Sequence, residues 1–170
     1  MKIIFAPDSF KGSIRSPEVC EILLRAFQEK LPGAEFCCVP LADGGEGTVA
    51  AVLAARTGEL REAGVHDPLG RPIRAQYAFF PESGQAVLEM ASASGLELLS
   101  AAERNPLLTS TYGSGELIRA AIAAGARDII MGIGGSATVD GGAGLVQALG
   151  ARLLDASGQD LPPGGGMLER

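Results

Sequence analysis

The sequence predicts an α/β protein of the Rossmann-like type, in which helices cover both faces of a parallel β-sheet to give three layers. It also predicts an antiparallel β-rich insertion. Three observations support this fold class. Apolar β-type runs alternate with helical periodicities near both ends of the chain. The middle of the chain joins β-type runs through tight turns. The composition, with 24 Gly among 170 residues and 20% charged residues, is typical of a soluble α/β protein with many turns.

The first strand–helix pair is predicted from residue 2 to residue 31. An apolar run over 2–7 is followed by Ser16-Pro17-Glu18, which supplies an N-cap, a Pro at the first helical position and an acid in the first turn. Apolar residues then recur at helical spacing as far as Leu31. A second β-type run over 35–41 and a helix to Arg56 complete the pattern, which predicts a parallel pair with a right-handed crossover.

Turn chemistry replaces helices between residues 59 and 95. The segment 67–70 (DPLG) has Pro and Gly at the positions that a β-turn favours. The segment 81–84 (PESG) lies between two β-type runs, as a hairpin connection does. We therefore expect an antiparallel insertion here.

Helical alternation returns after residue 106. The pattern predicts a helix over 115–124, a strand over 128–133, a helix over 144–149 and a further strand over 152–155. We accordingly divide the chain into a discontinuous Rossmann-like α/β domain, residues 1–58 with 106–170, and a β-rich insert, residues 59–105, belonging to a second domain. Because the last ten residues read as a loop, we expect the chain to be an incomplete, N-terminal part of a longer protein.

Charge and composition exclude several classes of partner. With a net charge of -6 and its Lys and Arg scattered, the chain offers no basic face for nucleic acid or an anionic membrane. Cys20, Cys37 and Cys38 are interpreted as core residues. No segment has the length or composition of a signal peptide or a membrane span, so a cytoplasmic location is expected. A homo-oligomer is compatible with the sequence.

Three polar, glycine-containing loops follow predicted strands. We call them loop A (residues 8–13), loop B (residues 43–48) and loop C (residues 134–142). In a parallel sheet such loops meet at one edge, where ligands bind. Glycines let backbone N–H groups approach an anion, and carboxylates hold Mg²⁺ or accept a hydroxyl proton. The loops therefore predict a site for phosphate chemistry.

Individual residues of these loops, and two arginines outside them, are assigned candidate roles. The catalytic candidates are Lys11, Asp43 and Asp140. The substrate-binding candidates are Asp8, Ser9, Ser13, Arg71 and Glu46. The nucleotide-binding candidates are Gly134, Gly135, Ser136, Thr138 and Gly141. Asp43 and Glu46 are also the candidate metal ligands, and Arg104 is a second candidate for a substrate carboxylate. The simpler alternative is that the three aspartates only cap helices or turns. His66, the only histidine, is given no role.

Two other functions stay open at this point. Residues 132–137 match GxGxxA after a predicted strand, with Asp155 further along, which favours an NAD-dependent oxidoreductase. A non-catalytic α/β domain, whose open sheet edge pairs with another chain, is the second alternative. The phosphate loop GxxxxGK[ST] and the protein-kinase motifs are absent from the sequence.

Six segments, in order along the chain, resemble the glycerate kinases of the bacterial type that includes the 2-phosphoglycerate-forming enzymes. They are APDSFKGS (6–13), LADGGEGT (41–48), PLGRP (68–72), ERNPL (103–107), TYGSGELI (111–118) and IMGIGGSATVDGGAG (130–144). The resemblance implies phosphoryl transfer from ATP, with Mg²⁺, to a hydroxyl of D-glycerate. It also implies a two-domain α/β fold with the active site between the domains, in proteins considerably longer than this one.

The mechanism we expect is in-line attack of a glycerate hydroxyl on the γ-phosphorus, helped mainly by positioning and charge neutralisation. Lys11 would hold a phosphoryl or carboxylate oxygen. Asp43 and Glu46 would serve the metal or the substrate hydroxyls, and Asp140 would act as base or metal ligand. The 2-hydroxyl is the expected acceptor, and phosphorylation of the 3-hydroxyl is the alternative.

Overall fold

A computed structural model describes residues 1–10 and 12–169, and their backbone forms two separate β-sheets. The smaller sheet pairs β1 (Lys2–Phe5) with β2 (Glu35–Cys38) in parallel, and α1 (Ser16–Lys30) connects the two strands. The predicted parallel strand–helix–strand unit is therefore confirmed.

Phe5 is the centre of this small unit. Its ring lies 5.2 Å from that of Phe27 on α1 and 5.8 Å from that of Phe36 on β2. The helix begins one residue earlier than expected, since Arg15 holds the N-cap position and the Ser16 hydroxyl donates to the Pro7 carbonyl at 2.7 Å. Ser16 thus fixes the helix to the end of β1.

The cysteine interpretation is only partly right. Cys20 on α1 is buried, but Cys37 is half-buried and Cys38 is exposed. Neighbouring residues of a strand point to opposite faces: the Cys38 thiol contacts the Cys20 carbonyl on the face that α1 covers, and Cys37 lies on the other face, yet neither thiol is buried. The core role predicted for all three thiols therefore holds for Cys20 alone.

The larger sheet has four strands in the order β3-β4-β5-β6. They are β3 (Glu59–His66), β4 (Pro72–Phe80), β5 (Gln85–Glu89) and β6 (Asp128–Gly132). The first two pairings are antiparallel, as predicted for the insertion, and β6 joins β5 in parallel.

The placement of β6 corrects the expected single parallel sheet, since β6 was predicted to join β1 and β2. The backbone N–H groups of Arg127 and Asp128 both donate to the Gly84 carbonyl in the turn between β4 and β5. This fixes the start of β6 beside β5, whose open edge it then fills. The sheet combines strands from both predicted domains, and the domain division itself stays a prediction.

Helices cover both faces of the larger sheet. On one face, α2 (Thr48–Ala55) packs Val49 against Phe80 and Val87. On the other, α3 (Ala91–Ser94) and α4 (Tyr112–Ala123) contribute to a second core that includes the fully buried Leu88 and Leu117. The α/β class is thus confirmed, with a mixed sheet in place of a parallel one.

The last part of the chain contains α5 (Ala143–Ala148), which packs on α4. The strand predicted over 152–155 is not formed, because the only bridge there joins Leu154 to Asp160 across a turn. Among the described residues, no helix is long and apolar enough to cross a membrane.

Candidate functional site

Loops A and B leave β1 and β2 side by side. The Leu41 N–H donates to the Pro7 carbonyl at 2.9 Å, which continues the strand pairing to the start of both loops. In loop A, Ser9 N–H donates to the exposed Asp8 carboxylate at 2.6 Å, and Ser13 is exposed. Lys11, the first candidate for an anion contact, lies outside the described residues.

Loops B and C make direct backbone contact. The Gly134 N–H donates to the Gly44 carbonyl at 3.0 Å. A Cβ atom on Gly134 would lie 2.8 Å from the Gly45 Cα, and one on Gly132 would lie 2.3 Å from the Gly44 oxygen. Neither position has room for a side chain, so these glycines allow the two loops to touch.

The middle of loop C is attached to the end of α3. Its Gly135 carbonyl accepts from the Leu96 N–H at 2.9 Å, and its Ala137 N–H donates to the Ser94 carbonyl at 2.9 Å. The hydroxyls of Ser136 and Thr138 lie 2.8 Å apart and hydrogen-bond each other. The candidate anion-binding groups are therefore held on a rigid support.

Asp140, at the end of loop C, is 2% exposed. Its carboxylate accepts from Thr111 N–H at 2.8 Å, from the Thr111 hydroxyl at 2.9 Å, and from the backbone N–H groups of Gly142 and Gly144 at 3.1 Å each. Thr111 in turn accepts from Leu145 N–H at 2.9 Å. These are the contacts of a cap, while a role for Asp140 as base or metal ligand stays a prediction.

Asp43 and Glu46 supply the carboxylates of loop B. The Asp43 Oδ1 accepts from Gly45 N–H at 3.0 Å, and the Asp43 side chain is on the surface. Glu46 is half-exposed, and one carboxylate oxygen lies 4.0 Å from the Arg15 guanidinium at the end of loop A. A hydrogen bond with Glu97, helped by burial and by the Glu97 charge, raises the pKa of Glu46.

Glu89, at the end of β5, is a further carboxylate beneath loop B that sequence reasoning missed. It is buried, and its Oε1 accepts from the Val49 N–H at the start of α2. Burial raises the pKa of Glu89, and the hydrogen bonds from the backbone of residues 47–49 oppose that rise. Glu89 thus attaches the first turn of α2 to the larger sheet.

Arg71 was predicted to meet a substrate carboxylate, but it is not a free cation. Its guanidinium contacts the Asp67 carboxylate, donates to Glu103 at 2.7 Å and also reaches the Leu98 carbonyl. The tight turn 67–70 brings Arg71 back beside the buried Asp67, whose negative charge needs a partner there. Arg104 similarly donates to the Leu96 carbonyl at 3.3 Å.

An open cleft of about 400 Å³, which the sequence did not predict, lies between the 67–70 turn and the start of α4. His66 and Tyr112 are among its lining residues. His66 Nδ1 lies 2.9 Å from a carboxylate oxygen of Glu116, a partner 50 residues away. Only the fold brings the two together, which is why a lone histidine carried no signal.

The GxGxxA match is not supported by the local structure. In dinucleotide-binding folds the motif opens the helix whose N-terminus receives the pyrophosphate. Here Gly132 to Ala137 leads into more loop, and α5 begins only at Ala143. The NAD-dependent interpretation therefore loses its physical basis.

Comparison with known proteins agrees with the motif resemblance. The sequence model described as the glycerate kinase family matches residues 3–170. The chain belongs to the glycerate kinase family. It is 54% identical over 170 residues to "Glycerate kinase" of Bacillus subtilis and 52% identical over 168 residues to "Glycerate 2-kinase" of Escherichia coli. Both relatives are named as kinases.

The alignments with these glycerate kinases cover almost all of this chain but less than half of each relative. The alignment covers 100% of this chain for the Bacillus subtilis relative and 99% for the Escherichia coli relative. The chain spans 44% of the length of each of these two relatives. A crystal structure of a putative glycerate kinase 2 from Salmonella typhimurium LT2 superposes with a TM-score of 0.80 and 51% identity, over 99% of this chain and 45% of that one. The fold described above is thus shared with a solved member of the family.

Proposed function

We propose that this chain supplies one part of an ATP-dependent kinase that phosphorylates the 2-hydroxyl of D-glycerate. The observation that carries the proposal is the direct contact of loops B and C, Gly44 to Gly134, in a chain that belongs to the glycerate kinase family. Because loop A runs beside loop B, the three polar loops adjoin one another.

The chemistry of the loops suits phosphoryl transfer. The glycines of loops B and C let backbone N–H groups approach an anion, whereas the N–H groups that open α2 and α5 already bind Glu89 and Asp140. Since Arg71 is held by two carboxylates, Lys11 of loop A becomes the main candidate to bind a phosphoryl or carboxylate oxygen. Asp140 would act by fixing loop C through its contacts with Thr111, in addition to the proposed base role.

Mg²⁺ fits the donor set of loop B. Mg²⁺ is usually bound by one or two carboxylates together with substrate phosphates and waters. Asp43 and Glu46 provide two carboxylates on one surface loop, and no group of three or more ligating side chains is present among the described residues. Bound there, the ion would neutralise phosphate charge, while this chain's part is to hold the two carboxylates on the short loop before α2.

Regiochemistry is the finer part of the proposal. The Escherichia coli relative is named a glycerate 2-kinase, which supports the 2-hydroxyl as acceptor. We further propose a cytoplasmic location, on the composition of the chain. A homo-oligomer stays a prediction.

The test is a phosphoryl-transfer assay with ATP, Mg²⁺ and D-glycerate on the whole kinase of which this chain would form one part, in which the product is identified by ³¹P NMR. We expect 2-phosphoglycerate, and Lys11→Ala should reduce turnover by at least about 100-fold, the scale for loss of a charge-stabilising group. Formation of 3-phosphoglycerate would contradict the regiochemistry, and absence of both products would contradict the proposed kinase activity. Near-normal turnover in the variant would remove Lys11 from the mechanism.

A further inference from the structure

The cleft between the 67–70 turn and α4 has the size and composition of a small-molecule site. Its volume of about 400 Å³ lies within the usual range for ligand pockets. Four of its lining residues are apolar: Pro68, Leu69, Leu108 and Pro163. None of the proposed roles of loops A, B and C uses this cleft.

His66 is the polar group best oriented toward a ligand in the cleft. Glu116, whose side chain is only 10% exposed, binds His66 twice: it accepts from the backbone N–H at 2.8 Å and lies 2.9 Å from the ring Nδ1. This fixes the ring and leaves Nε2, across the ring from Nδ1, as the nitrogen available to a ligand. The His66 side chain is 44% exposed and lines the cleft.

Charge and shape favour a neutral, planar ligand group. Of the described residues that line the cleft, none is Lys or Arg, and the one carboxylate, Asp67, is buried and paired with Arg71. The imidazole of His66 and the ring of Tyr112 lie 6.3 Å apart, edge to face. Ring edges and apolar walls bind flat heterocycles well, whereas an anion would find no Lys or Arg among the described lining residues.

The cleft adjoins loop C, on which we place the nucleotide phosphates. Two lining residues of the cleft, Ser110 and Tyr112, pack tightly on the start of α5. A Cβ atom on Gly144 of this helix would lie 2.1 Å from the Ser110 hydroxyl. Between them, Thr111 binds the Asp140 carboxylate of loop C. A nucleotide with its phosphates on loop C therefore has this cleft as its neighbouring pocket.

We propose that the cleft binds the nucleobase of the nucleotide, with His66 Nε2 as a hydrogen-bonding partner of the base. This inference rests on the proposed function for the identity of the ligand. It assigns to His66 and Glu116 a role in binding: His66 contacts the base, and Glu116 is a positioning residue that fixes the imidazole.

The experiment uses adenosine, which lacks phosphates, as the probe. Because His66 is the only histidine, its Cε1–H signal in ¹H NMR reports on the cleft without overlap from other imidazoles. We expect millimolar adenosine to shift this signal along a saturable curve. Absence of a shift, or a shift produced by D-glycerate and not by adenosine, would overturn the proposal.

Two adjacent leucines give a matched pair of variants. Leu107 and Leu108 are 61% and 60% exposed, but only Leu108 lines the cleft. Leu108→Asp should weaken adenosine binding at least about tenfold, whereas Leu107→Asp should leave it unchanged, and both variants should stay folded because the side chains are exposed. Equal effects of the two substitutions would contradict the assignment.

Failure of this inference can be told apart from failure of the proposed function. Formation of phosphoglycerate from ATP, with no response of His66 to adenosine, would overturn the base pocket and leave the kinase. A specific adenosine response that Leu108→Asp removes, with no phosphoryl transfer, would support the pocket and contradict the activity.

Discussion

The two sheets of the molecule are packed very differently. In β1 and β2 only Phe5 is buried, whereas β4 has five buried residues and β5 has four. Loop A and the start of loop B thus stand on a lightly packed unit, and loop C stands on a dense one with helices on both faces. Where the units meet, the contact of Gly44 with Gly132 and Gly134 defines the site geometry.

The packing difference predicts unequal costs of truncation. Phe80, 1% exposed, packs between β4 and α2, while Phe36 on β2 is half-buried. We expect Phe80→Ala to lower the free energy of unfolding by about 3–5 kcal/mol, and Phe36→Ala by roughly half as much or less. Urea unfolding measures both values, and equal losses would refute the distinction between the sheets.

Asp140 should be the most costly of the loop carboxylates to remove. Asp140→Ala leaves buried N–H groups of Thr111 and Gly144 without their acceptor, so we expect a loss of about 2–4 kcal/mol. Asp8→Ala is the control, because Asp8 is exposed, and its cost should stay below about 1 kcal/mol. A cost at Asp140 as small as that at Asp8 would show that the cap does not hold loop C.

The contact between the loops can be tested with two strand glycines of the same sheet. A Cβ on Gly132 in β6 would lie 2.3 Å from the Gly44 oxygen, whereas one on Gly64 in β3 meets nothing within 4 Å. We expect Gly132→Ala to cost about 1–3 kcal/mol and Gly64→Ala to be neutral or slightly stabilising. Thermal unfolding decides this, and a harmless Gly132→Ala would mean that the loops are further apart.

Glu89 predicts a pH effect of smaller size. Its pKa is raised above 4.5 by burial, so between pH 4.5 and the folded-state pKa the folded state holds a proton that the unfolded state has lost. Stability contributed by this group is therefore complete below pH 4.5 and decreases as the pH rises through the folded-state pKa. Glu89→Gln should remove this decrease, so the variant should gain stability relative to the parent as pH rises. A difference that is constant with pH would contradict the assignment.

The sequence predicted most helices, strands and turns correctly, because caps, turn residues and hydrophobic spacing depend on neighbouring residues. Pro17 near the start of α1 and the 67–70 turn appear where the sequence indicated. Sheet membership was wrong for β6, since strand pairing depends on long-range contacts such as those of Gly84 with Arg127 and Asp128. Periodicity contains no information about which open edge a strand will fill.

The sequence predicted which loops adjoin one another more successfully than it predicted which side chains are available to a ligand. The predicted proximity of loops B and C is present in the structure, although the strands that precede them lie in different sheets and backbone contacts of Gly44 with Gly132 and Gly134 bring them together. The engagement of Arg71 by Asp67 and Glu103, and the pairing of His66 with Glu116, depend on side chains distant in sequence. Such contacts decide whether a charged group is available to a ligand, and a motif does not show them.

The central claim is that the adjoining loops B and C form one site for the nucleotide phosphates and their metal ion, and amide NMR tests it most directly. Titration of the ¹⁵N-labelled chain with Mg·ATP should shift the amide signals of Gly44, Gly45, Gly134 and Gly135 along a single saturable curve. Gly64, on the same sheet and away from the loops, should not respond. Shifts confined to one loop, or no shift in either, would contradict the account.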